Sequence, residues 1–293
     1  MIFMRSLSTH LRVLVAIATA LVMALALADK PISSAAQRPG VRLALVNVPD
    51  EVLRPLLPLF REQQGTAASI VYTGNDPFGV GRAGEADLVI AHFGSPGVEP
   101  FVIGRHGLWP QAVFANQMAL LGPSSDPAGV RGLRSTAEAF RRIAATKSRY
   151  VANASAGAKY LEEIATAGTD VALRSQLTNP GALENAAAVR LAAERRAYVL
   201  WGVPPFLRLK RQQSIEQPLD LEPLVVADPM LQRMMVAIVV NPATIKGVNA
   251  AGAKAFQDFL LSPAIQARIA AFRYPDFDQQ VWWPAGRHNS ARD

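Results

Sequence analysis

The sequence predicts an α/β protein of two lobes, the second inserted into the first and joined to it by two crossings. Short apolar runs alternate with stretches of helical spacing along most of the chain, the pattern of βαβ units with right-handed crossovers and a parallel sheet. Two polar, Gly- and Pro-bearing stretches interrupt that alternation: GPSSDPAGVRG at 122–132 and QQSIEQPLD at 212–220. They place one lobe at 41–122 and 219–293 and the other at 123–218. No cysteine is present, so the core has to hold the fold without disulfides.

The chain opens on a secretory layout. Arg5 and Arg12 are positive, 13–27 is apolar, and Ala26-Leu27-Ala28 offers small residues for cleavage before Asp29. Residues 1–28 therefore read as a signal peptide, with an uncleaved anchor as the alternative. Cleavage leaves roughly 265 residues, enough for a sizeable core. The product is expected to be soluble in the periplasm or outside the cell, without membrane insertion. Residues 29–40 (DKPISSAAQRPG) lack periodicity and read as a flexible lead-in.

Each element follows in order. Residues 41–48 form an apolar strand. Apolar spacing predicts a helix over 51–64, closed by Gly65 and weakened by Pro55 and Pro58. Strands are expected at 68–72 and 86–91, a helix at 98–104, and separate strands at 108–115 and 118–121. Ser135 is the natural N-cap of a helix at 136–146. A short strand at 150–151 precedes helices at 157–167 and 182–196. Strands at 198–200, 221–226 and 234–240 come next. Helices at 249–261 and 263–271 close the pattern, the second announced by Ser262-Pro263.

Composition removes several function classes. The formal charge is +7, from 30 basic and 23 acidic residues. Arg141-Arg142, Arg195-Arg196 and Lys210-Arg211 are dispersed pairs, so nucleic acid is not an expected partner. His92, His106 and His288 lack metal-ligand spacing, and no metal or other cofactor is expected. TGNDPFGVGRAG at 73–84 is glycine-rich but contains neither a dinucleotide fingerprint nor a Walker lysine. No Gly-x-Ser-x-Gly elbow or nucleophile–base pair appears, which argues against an enzyme.

Several segments, in order, carry a family resemblance: LLPLF at 56–60, GEADLVIAH at 84–92, and ALLGPSSDPAGVRGLRSTAEAFRRIA at 119–144. YVANASAG at 150–157, VVNP at 239–242 and FQDFLLSPAIQARIAAF at 256–272 complete the set. Together they resemble the tungstate- and molybdate-type solute-binding proteins of ABC transporters. The resemblance implies a two-lobed, type II periplasmic-binding-protein-like fold with a hinge. It also implies a small-molecule or oxyanion ligand held between the lobes, an ABC permease as partner, and a monomer. The same fold could instead serve a periplasmic sensor or adaptor whose cleft has degenerated.

The ligand segments depart from the family pattern. The hydroxyl run after the first strand is Leu45-Val46-Asn47-Val48-Pro49 here, leaving Asn47, with Asp50 in the following turn. The arginine position of the second motif holds Asn153, followed by Ser155 and Gly157, and the threonine position holds Ala158. The third pattern reads Trp201-Gly202-Val203-Pro204-Pro205, while the His92…Ser95-Pro96 turn keeps its type. Asn179 and Gly181 add a turn that could offer backbone N–H groups to an anion. Each candidate has a plainer reading: Asn47 and Ser155 as N-caps, Asn153 and Thr178–Gly181 as turn residues, His92 as a loop histidine, Trp201 as core. The expectation is a crevice walled by backbone amides and uncharged side chains. An organic carboxylate with an apolar part stacked on Trp201 suits such walls better than a bare dianion, which needs charge-assisted donors.

Overall fold

The structure is a computed structural model that describes residues 40–47, 49–167, 183–212 and 219–285, with the backbone alone at 177–178. The first strand, β1 (Val41–Leu45), pairs in parallel with β2 (Ala68–Thr73) and β3 (Leu88–His92). Every residue of β3 is buried, which explains its unbroken apolar run: it is an inner strand covered on both faces. β2 lies at the sheet edge, and its burial alternates with the pleat.

The prolines expected to disturb the first helix do so. Residues 50–64 divide into a helical turn (Asp50–Leu53), a 3-10 turn (Arg54–Leu56) and helix α1 (Leu57–Gln64). α1 ends on Gly65 in the left-handed conformation at φ 65°. Phe60 from α1 meets Phe256 and Phe259 edge-on, with ring centroids 4.9 and 5.3 Å apart. Both phenylalanines belong to α8 (Ala250–Leu261), so these contacts fix two helices on one side of the sheet.

One helix was illegible in the sequence. α2 (Pro77–Arg82) contains Gly79 and Gly81, which count against a helix, yet Asp76 caps it by accepting from the Gly79 N–H at 2.8 Å. α3 (Val98–Ile103) follows β3 as expected.

The two strands expected at 108–121 are one, β4 (Gln111–Gly122). Its first half pairs antiparallel with β9 (Gln232–Val239) and β10 (Trp282–Pro284). Its second half pairs antiparallel with β7 (Val199–Gly202) and β8 (Glu222–Val225). β9 also pairs antiparallel with β3, so the sheet is mixed rather than parallel, in the order β10-β4-β9-β3-β1-β2.

Beyond β4, α4 (Thr136–Ala145) is capped by Ser135, whose hydroxyl accepts from the Glu138 N–H. β5 (Tyr150–Val151), α5 (Ala156–Thr166), β6 (Leu177–Thr178) and α6 (Asn185–Glu194) lead to β7. α7 (Val203–Arg211), for which the sequence predicts no element, starts at once with Pro204 and Pro205 in its first turn. α8 and α9 (Pro263–Ala271) close the fold against β9 and β10.

Residues 40–293 form one unit with two hydrophobic clusters. The alternation of β4 divides them. Ala119 and Leu121 face the larger cluster, which runs on into α6 and α7. Met118 and Leu120 face the smaller one, with Phe140, Tyr150, Tyr198 and Leu200. The sequence assigned 219–293 to the first lobe, but Leu224, Val225 and Leu231 pack in the smaller cluster.

Candidate functional site

A crevice of about 450 Å³ opens where several strand ends meet several helix starts. The carboxyl ends of β1, β2 and β3 contribute Asn47, Asn75, His92 and Ser95. β4 contributes Asn116 and Met118 from its middle, and β9 contributes Arg233 from its start. The opposite wall is the first turn of α5, the start of α6, and the junction of β7 with α7. Strand carboxyl ends beside helix amino ends are where open α/β sheets place ligands, because free N–H groups converge there.

The α5 wall is a row of unsatisfied donors. Ser155 is the N-cap residue, its hydroxyl makes no capping bond, and no acidic residue lies in the first turn. The first intrahelical bond runs from the Lys159 N–H to the Ser155 carbonyl, leaving the N–H groups of Ala156, Gly157 and Ala158 without helical acceptors. Arg233 lies against this turn. A β-carbon at residue 157 would fall 2.6 Å from Cζ of Arg233, so only glycine leaves room for the guanidinium. Burial lowers the Arg233 pKa, and no carboxylate among the described residues offsets its charge. Two positive potentials thus face each other without an anion between them.

Arg208 is a second cation on the crevice, and it is paired. It donates to the Asn47 carbonyl at 2.8 Å and lies 3.6 Å from Glu51. Asn47 and Asn75 are locked together, Nδ2 of the first donating to Oδ1 of the second at 2.7 Å. His92 Nε2 lies 3.2 Å from Oδ1 of Asn116. Burial, reinforced by the Arg233 charge, pushes the His92 pKa down to about 3 against the pull of the Asn116 bond. The ring is therefore neutral at ordinary pH, so Nε2–H donates and Nδ1 remains an acceptor.

Of the residues singled out in the sequence, Asn47, His92, Ser95, Ser155, Gly157 and Trp201 all line the crevice. Trp201 is also part of the larger core and is only 8% exposed. Asp50 does not reach the crevice and pairs with Arg54 at 2.9 Å. Asn153 is buried behind the wall. Its Oδ1 accepts from the Ser155 N–H at 3.1 Å and the Asn185 N–H at 2.9 Å, binding the starts of α5 and α6 to one point. Asn179 and Gly181 lie outside the described residues.

The comparisons with known proteins agree with this geometry. No family model matches the chain. Over 238 residues it is 26% identical to the tungstate-binding protein TupA of Peptoclostridium acidaminophilum, covering 78% of this chain and 79% of that protein. A putative ABC transporter anion-binding protein of Haloferax volcanii is 27% identical over 245 residues, 80% of this chain and 68% of the relative. The chain is therefore similar in sequence, over most of its length, to solute-binding proteins of ABC transporters.

The solved structures carry the fold. A tungstate-binding protein of Desulfovibrio alaskensis superposes with a TM-score of 0.65 at 24% identity, covering 84% of this chain and 98% of that one. The tungstate ABC transporter structure from Geobacter sulfurreducens gives 0.61 at 21% identity, over 79% and 98%. The chain therefore shares the periplasmic-binding-protein-like α/β fold of these structures.

The walls correct one sequence expectation: they are not uncharged. Arg233 on β9 lines the crevice, while Asn153 stands behind its wall. The sequence carried a faint sign of this arginine. Period two puts Arg233 on the same side of its strand as the buried Met235 and Ala237. Asn116 was missed because Asn116-Gln117 read as a break between strands, although both side chains are buried.

Proposed function

We propose that this solute-binding protein captures a small anion outside the cytoplasm and hands it to an ABC permease, with no chemistry of its own. The observation that carries this reading is Arg233, a desolvated cation set against the free N–H groups of α5 with no acidic partner. Holding such an arrangement empty is unfavourable, and an anion placed there is met by charge-assisted donors on two sides. A sensor or adaptor with a decayed cleft would have no use for that cost.

Export through residues 1–28, cleavage after Ala28 and a monomeric state belong to the same proposal. So does a division into two lobes that move against each other, with the return crossing shifted to the segment between β8 and β9. No helix among the described residues is long and apolar enough to cross a membrane. Ligand-dependent melting tests the reading: at one ligand concentration, anions should raise the Tm of the native protein clearly more than that of Arg233→Ala, because a ligand stabilises the fold in proportion to how well it binds. Equal responses from both proteins would refute it.

A further inference from the structure

The dimensions of the crevice and the placement of its polar groups say more about the ligand than its charge does. The volume of about 450 Å³ lies within the range of roughly 300–1,000 Å³ seen for organic ligands and exceeds what one tetrahedral oxyanion fills. The cation without an acidic partner, Arg233, is on the side of β9 and α5, whereas Arg208, beside Asn47, is paired with Glu51. The locked Asn47–Asn75 pair sits at the ends of β1 and β2, and the sheet order β9-β3-β1-β2 separates it from β9 by two to three strand spacings, about 10–14 Å. A single oxyanion is shorter than that span between the strands.

The chemistry of the far side points the same way. With Asn47 Nδ2 committed to Asn75 Oδ1, the pair presents one carboxamide oxygen and one NH₂ group. On the near side, His92 of β3, next to β9, is bonded through Nε2 and keeps Nδ1 as an acceptor. Fully deprotonated oxyanions have no hydrogen to give such acceptors, whereas a hydroxyl both gives and takes. The lining also includes the apolar side chains of Trp201 and Met118.

We infer that the ligand is an organic anion: a carboxylate or phosphate head on Arg233 and the α5 amides, and a short hydroxylated carbon skeleton reaching the Asn47–Asn75 pair. This rests on the anion-binding reading above and narrows it to a substrate class. Calorimetric titration tests it. One arm holds tungstate, molybdate, sulfate and phosphate. The second holds carboxylates of three to six carbons in hydroxylated and deoxy pairs, malate with succinate among them, and the third their phosphorylated counterparts.

The expected result is a hydroxylated organic anion that binds at least tenfold more tightly than its deoxy partner and than every inorganic anion. Asn75→Ala should bring that ratio close to one. Which organic arm wins identifies the head group. If an inorganic anion binds tightest, or deoxy and hydroxylated partners bind alike, the inference fails and the anion reading stands. No binding by any anion overturns both.

Discussion

The guanidinium of Arg233 occupies the space that a β-carbon would take at Gly157, so a side chain from the sheet rests on the first turn of a helix in the opposite wall. Glycine here serves a neighbour's charge, with no left-handed backbone required.

That contact separates affinity from stability. Gly157→Ala should push the guanidinium away, and anion affinity should fall at least tenfold. The empty protein should melt no lower, since alanine is favoured over glycine in a helix by up to about 1 kcal/mol. Titration and melting of the same variant check both outcomes.

Removing the cation itself should cost more. Hydrogen bonds to charged groups contribute about 1.5–3 kcal/mol, so Arg233→Ala should weaken anion binding roughly 10- to 100-fold. Relief of an unpaired charge should leave the empty variant at least as stable as the native protein, as urea titration would reveal.

Asn153 is expected to act on structure first. Asn153→Ala leaves two part-buried N–H groups, those of Ser155 and Asn185, without their acceptor. Each such loss costs about 1–3 kcal/mol, so the melting point should fall by several degrees. A variant that melts with the native protein would show that the two helix starts are held by something else.

His92 makes the fold sensitive to acid. Its pKa is about 3 when folded against 6.5 when exposed. Below pH 6.5 the unfolded chain takes up a proton that the folded chain refuses, so stability is complete above 6.5 and declines as pH falls toward 3. The decline should reach about 2 kcal/mol by pH 5. Urea titrations at pH 7.5 and 5 should record it, and His92→Gln should flatten the difference.

A control lies away from the crevice. Asp87, fully buried, accepts from the Arg42 backbone and guanidinium and from the Asn249 N–H, tying β1 to the start of α8. Asp87→Ala should destabilise by about 1–3 kcal/mol for each of the two part-buried N–H groups, those of Arg42 and Asn249, that lose their acceptor. Affinity of the remaining folded protein should be unaffected, which titration below the melting range can verify.

The alternation of strands and helices was readable because burial imposes periods that survive in the residues, as in the unbroken run of β3 and the helical spacing of α8. Strand direction was not, since β9 reads the same whether it runs with or against β3. The start of α7 was hidden by Pro204 and Pro205, which suit a first turn as well as a loop. Within the crevice, residues beside strand ends and helix caps could be named, because position alone nominates them. Arg233 and Asn116 could not. Their significance depends on which distant segments face them, and local pattern carries no record of that.

β4 has one further consequence. A single unbroken ribbon carries the hydrogen-bonded ladders of both halves, joining β9 on one stretch to β7 and β8 on the next. Any widening of the gap must be absorbed as twist or bend near Asn116 and Gln117, both gripped by side-chain bonds. A change of angle between the two stretches would therefore have to bend a strand that is paired on both sides, where an unpaired loop would give way without strain.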